Sequence, residues 1–170
     1  PRSTLFPYTT LFRSELNFLE KIISNSIQII NLENIEINPK KNVIVISADY
    51  QSSLLAEAAS ASFHTDGWHV FSLGDMSSAI DVLYDLDLQK FVAKIWKSRI
   101  GIMIIVVFSS TEDGLKFFAE SVNSIKSKFR RNLYLALCGD IKKNTVIKAD
   151  LMGENLETTL QWSQTTFESS

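Results

Sequence analysis

Seven consecutive apolar residues, Ile102-Met-Ile-Ile-Val-Val-Phe108, stand in mid-chain without a charge among them. The run has the length of a strand and falls far short of the roughly 20 residues a membrane helix requires. A strand that does not alternate with polar residues is buried on both faces, as happens when helices cover both sides of a parallel sheet. The chain repeats this pattern. Apolar runs at Asn42–Asp49, Trp68–Asp75, Ile100–Ser109, Leu133–Gly139 and Val146–Gly153 alternate with segments of helical period at Gln51–Asp66, Ser77–Lys97, Glu112–Phe129 and Glu154–Trp162. The alternation predicts an α/β domain, Rossmann-like or flavodoxin-like, with a five-stranded parallel sheet and helices on both faces.

The helical segments carry their own signals. Leu115, Phe118, Val122, Ile125 and Phe129 form a stripe, with Thr111 at the N-cap and Glu112 and Asp113 in the first turn. Ala58, Ala59 and Ala61 make one side of the first crossover helix small, which suits close approach to the sheet or to a ligand. Upstream, the apolar positions from Glu15 to Leu32 recur mostly at three and four, the period of an amphipathic helix, and Glu33–Lys41 with Pro39 reads as a linker.

Residues 1–14, PRSTLFPYTTLFRS, match one reading frame of a common sequencing-library adapter at every position and are read as an artefact. The expected organisation is adapter at 1–14, helix plus linker at 15–41, and the domain proper at 42–170. A frame that opens on adapter also implies that an upstream region has been lost. Setting aside Arg2 and Arg13 leaves 15 basic residues against 19 acidic ones, a formal charge of −4. That balance argues against nucleic-acid binding through this domain. The basic run Lys126–Arg131 suits a helix C-terminus. One cysteine excludes an internal disulfide, and a reducing, cytoplasmic setting is expected, with no membrane partner.

Ligands of open parallel sheets bind outside the carboxyl ends of the strands, near the point where strand order reverses. The candidate cofactor-binding residues are therefore Tyr50, Gln51, Ser52, Gly74, Ser109, Ser110, Cys138, Gly139 and Asp140. The turn after the first strand, Ala48-Asp-Tyr-Gln-Ser-Ser53, has no glycine, and Asp49 would repel phosphate, so neither a dinucleotide nor a Walker site is expected. A phospho-acceptor receiver domain would place an aspartate at the end of the third strand, where Phe108-Ser109-Ser110 stands instead. The two histidines, His64 and His69, read as surface or packing residues and do not make a metal site. No serine has a recognisable base and orienting acid near it in sequence, so no catalytic residue is expected.

Gly67-Trp-His-Val-Phe-Ser-Leu-Gly74 resembles the signature that ends the second strand of cobalamin (corrinoid)-binding domains. Phe108-Ser109-Ser110 resembles that family's serine at the end of strand three, and Leu137-Cys138-Gly139 its paired-glycine turn with one glycine replaced. Lys148-Ala-Asp150 and Leu156–Trp162 are similar to its closing Gly-Ala-Asp and last helix. Counting back from Gly67, the position of the family's cobalt-ligating histidine falls on Ser52, and the glycine that follows it falls on Leu55. The resemblance thus implies a degenerate member of sensory type, more regulator than enzyme. It implies cobalamin with its own base in place, haem, or no cofactor at all. It also implies an upstream output or light-sensing unit as partner, with the helix before the domain as the end of a segment that caps the ligand. A degenerate domain used for protein-protein contacts, or a corrinoid carrier of a methyltransferase, are the competing readings. The former predicts a sheet edge filled by side chains such as Tyr50.

Overall fold

Five strands, β1 (Lys41–Ser47), β2 (His69–Asp75), β3 (Ile102–Phe108), β4 (Leu133–Cys138) and β5 (Leu151–Gly153), pair side by side in the order β2-β1-β3-β4-β5. Every pairing is parallel. The computed structural model describes residues 18–26, 35–77, 85–97, 99–129, 132–139, 147–153 and 155–170. Helices are α1 (18–26), α2 (Ser53–Thr65), α3 (Asp85–Trp96), α4 (Glu112–Lys128) and α5 (Leu156–Glu168). The expected architecture is the observed one.

The two faces of the sheet take alternate residues of the same strands, because successive side chains point to opposite sides. Ile44, Ile46, Ile105 and Val107 meet Leu115, Phe118 and Val122 of α4 and Leu88 and Val92 of α3. Val43, Val45, Ile104 and Val106 meet Ala56, Ala59 and Phe63 of α2, with Leu160 and Phe167 of α5 packed beside them. All seven residues of β3 are buried, as its unbroken apolar run requires. Of the expected small side, Ala59 and Ala61 are buried and Ala58 is half-buried, and Ala56 is buried with them. The small side of α2 is used in close contact with the sheet and does not hold space open for a ligand.

Trp68 joins the strands to the last helix. It is 1% exposed, with Phe63 edge-on at 5.5 Å and Phe167 at 6.2 Å between ring centroids. Lys41 Nζ lies 5.0 Å from the Phe167 ring and donates to Gln164 Oε1 at 2.9 Å. These contacts explain why α5 runs on to Glu168, past the expected end at Trp162. The low helix propensity of Ser163, Thr165 and Thr166 is overridden by burial of Thr159 and Ser163 and by the anchored Phe167. β5 is shorter than the expected strand from Val146. The backbone of Asp150 donates to Leu135 O at 2.9 Å while its carboxylate accepts from Leu135 N at 2.7 Å, so a side chain occupies a ladder position just before the strand. Lys126 of α4 pairs with the same carboxylate. Residues 78–84, expected to open the second crossover helix, and half of the expected helix Glu15–Leu32 lie outside the described residues.

Gly101, which leads into β3, has φ +88°, and a Cβ there would stand 2.1 Å from the carbonyl oxygen of Lys40. Ile102 N donates to that same oxygen at 2.9 Å, so the two backbones cannot part without losing the start of the β1–β3 ladder. Gly101→Ala is expected to cost about 2–4 kcal/mol of stability, read from urea unfolding midpoints.

Candidate functional site

In the order β2-β1-β3, the chain leaves β1 toward one edge of the sheet and returns to β3 on β1's other side. The crevice where ligands bind in such sheets therefore opens between the carboxyl ends of β1 and β3. Asp49 stands there, two residues past β1, half-buried and extended. Its Oδ1 accepts from Ser52 N at 2.9 Å and Ser52 Oγ at 2.8 Å. Its Oδ2 accepts from Ser109 Oγ at 2.8 Å and Ser110 N at 2.7 Å. One carboxylate thus caps the turn into α2 and ties it to the turn after β3. The Ser109 hydroxyl also accepts from Thr111 N at 3.1 Å. Thr111 in turn caps α4 as expected, accepting from Gly114 N at 3.2 Å.

Burial, the largest single influence on Asp49, would raise its pKa, but the hydrogen bonds from Ser109, the Ser110 backbone and Ser52 together hold the carboxyl below its ordinary value. A carboxylate with a lowered pKa and both oxygens engaged is a poor general base. Among the described residues, Asp49 therefore does not serve Ser52 or Ser109 as an activating base for nucleophilic chemistry. No group of three or more His, Cys, Asp or Glu among the described residues could hold a metal ion.

Next to this network a groove of about 550 Å³ separates α1 from the start of α2. Among the described residues its walls include Glu20, Lys21, Ser24, Tyr50, Gln51 and Glu57. Ser24 Oγ donates to Glu57 Oε2 at 2.7 Å, which fixes α1 over α2. Tyr50 is 71% exposed at the mouth, so the sheet edge is not filled by it. Phe18, Leu19, Ile22 and Ile23 of α1 are exposed, and so is Leu55 of α2.

The sequence-derived candidates that lie among the described residues divide into four groups. Ser52, Ser109 and Ser110 converge on Asp49. Tyr50 and Gln51 face the groove. Gly139 lies close under the β3 turn, where a Cβ would meet Ser109 O at 2.3 Å, and Cys138 points away from the open edge, 3.0 Å from Thr159 Oγ1 beneath α5. Burial pushes the Cys138 thiol up to about 11, against a smaller opposing effect of the Thr159 hydrogen bond. Gly74 is exposed near the end of edge strand β2, apart from the groove, with φ +66°. Asp140 lies outside the described residues. His69 stacks on Phe71 at 4.6 Å, and burial together with Arg99 lowers its pKa. Sequence reasoning placed Asp49 at a strand end and weighed it against phosphate and as part of a receiver-type site, but missed it as the organising group. It also missed Glu20, Lys21, Ser24 and Glu57, since nothing in the spacing of α1 says which part of the sheet it covers.

No family model and no curated protein matches the sequence. Among solved structures, the chain is similar to the monomethylamine corrinoid protein of Methanosarcina barkeri, with a TM-score of 0.59 and 14% identity over 88% of this chain and 65% of that one. The two share a fold. The chain spans just under two thirds of that protein's length, and at this identity the likeness speaks for architecture alone.

Ser52 does not fit as a cobalt ligand, because it is buried, is only a hydroxyl, and is committed to Asp49. The groove's volume lies within the range of roughly 300–1,000 Å³ common to ligand pockets.

Since Asp49 has a lower pKa folded than unfolded, its contribution to stability is fully present above about pH 4 and is lost as pH falls through the lowered folded value. Asp49→Asn should therefore cost about 2 kcal/mol near neutral pH and should flatten the acid limb of the stability curve, measured by urea unfolding from pH 7 down to 3.

Proposed function

We propose that the chain is a corrinoid-binding-like regulatory module that receives a tetrapyrrole in the groove between α1 and the start of α2. The observation that carries this reading is the groove itself, open beside an exposed Tyr50 at the carboxyl edge of β1. A non-binding domain would have that edge packed shut. The likeness in fold to a corrinoid protein supports the ligand class. The hydrogen-bonded Ser52 supports regulation over methyl transfer, because a carrier would need a protein ligand on cobalt at that position. The ligand is held by its rim, with any cobalamin keeping its own base. The exposed apolar residues of α1 lie next to the groove and offer a surface through which occupancy reaches a protein partner.

Titrating the full chain with hydroxocobalamin and, separately, with haemin should give a saturable absorbance change with at least one of them. A cooperatively folded sample that changes neither spectrum overturns the reading. Ser52→His should leave the spectrum of bound cobalamin unaltered, since a side chain there faces Asp49; a new imidazole–cobalt spectrum would restore the carrier reading instead.

A further inference from the structure

Among tetrapyrroles, the charge carried by the rim of the ring separates the two candidate ligands. A corrinoid such as cobalamin presents neutral carboxamides around its edge, whereas haem presents ionised carboxylates. The walls of the groove treat these rims differently. Glu20 and Glu57 bring two negative charges against the one positive charge of Lys21, and Ser24, Tyr50, Gln51 and Ser53 add neutral donors and acceptors. Amides can exchange hydrogen bonds with every one of these groups. Among the described residues, a carboxylate rim meets an excess of like charge, with one lysine to offset it.

The usual metal ligands are also elsewhere. The chain has two histidines and one cysteine. His64 ends α2 and His69 begins β2, so both lie at the amino end of the sheet, opposite the groove, and Cys138 is enclosed beneath α5. Among the described residues of the groove, Tyr50 is the one of a type that ligates haem iron.

Glu57 is the better placed of the two acids to discriminate. It lies on α2 at the groove wall, and the Ser24 hydroxyl fixes its carboxylate from the facing helix at 2.7 Å. We infer that Glu57, seconded by Glu20, is a specificity-determining residue of the groove, selecting tetrapyrroles with an amide rim and turning away those with a carboxylate rim. The inference rests on the groove being the tetrapyrrole site proposed above.

Two corrinoids that share ring and cobalt but differ at the rim isolate this effect: dicyanocobinamide, whose rim is amide, and dicyanocobyrinic acid, whose rim is carboxylic acid. Titrated by absorbance into the full chain at pH 7 and low salt, cobinamide should bind about tenfold or more tightly than cobyrinic acid. The ratio should shrink in 0.5 M salt, where exposed charges are screened beyond about 4 Å. Glu57→Gln should narrow the ratio of cobinamide to cobyrinic acid affinity by about threefold or more. Equal binding of the two corrinoids, or a ratio unmoved by Glu57→Gln, overturns the inference while leaving the tetrapyrrole site standing. Tight haemin binding that is lost in Tyr50→Phe overturns it in the same way. Failure of both corrinoids and haemin to bind the folded chain removes the site and the inference with it.

Discussion

A parallel sheet covered by helices on both faces leaves almost no position along its strands where a polar side chain is stable. Burying an unpaired polar group costs about 1–3 kcal/mol on mutational scales, so polar residues collect where strands end. Asn42 shows how narrow the exceptions are. It is fully buried in β1; its amide nitrogen donates to the carbonyls of Ile100 and Ile102 at 3.0 and 3.2 Å, while its Oδ1 has no partner among the described residues. Everywhere else on β1 and β3 the interior is aliphatic or aromatic until Ser47 and Ser109. The network around Asp49 is the other side of this exclusion, because the two strand-end turns carry the polar groups that the sheet interior refuses.

Most of the architecture was legible for the same reason. An unbroken run such as Ile102–Phe108 has one comfortable environment, and the spacing between such runs left room for crossover helices. Thr111 was readable as a cap because a side-chain oxygen before a helical stripe satisfies a local need. The elements misjudged in length depend on distant partners. α5 extends through residues of poor helix propensity because Phe167 reaches Trp68 and Lys41. β5 is cut short because Asp150 bonds to Leu135 with its side chain. Neither contact leaves a local mark on the sequence.

The site was legible in part. A fold rule led to the strand ends, and that was enough to find Ser52, Ser109 and Ser110, but it could not show that they converge on one carboxylate. Asp49 looked like an obstacle to phosphate when considered alone. In the fold it is the common acceptor of two turns that are 60 residues apart in sequence. The groove was less legible still, since one of its walls comes from α1, whose periodicity reveals an amphipathic helix but not its docking place.

Cys138 shows what enclosure does to reactivity. Thiol chemistry proceeds through the thiolate, and a group 3% exposed with its pKa at about 11 presents almost none at neutral pH. The native thiol is therefore chemically silent toward alkylating reagents and mild oxidants. It becomes reactive when β4 and α5 separate, because only then does water reach the sulfur. As the single cysteine of the chain, it makes the rate of alkylation a clock for opening of this layer, with no competing thiol to confuse the signal.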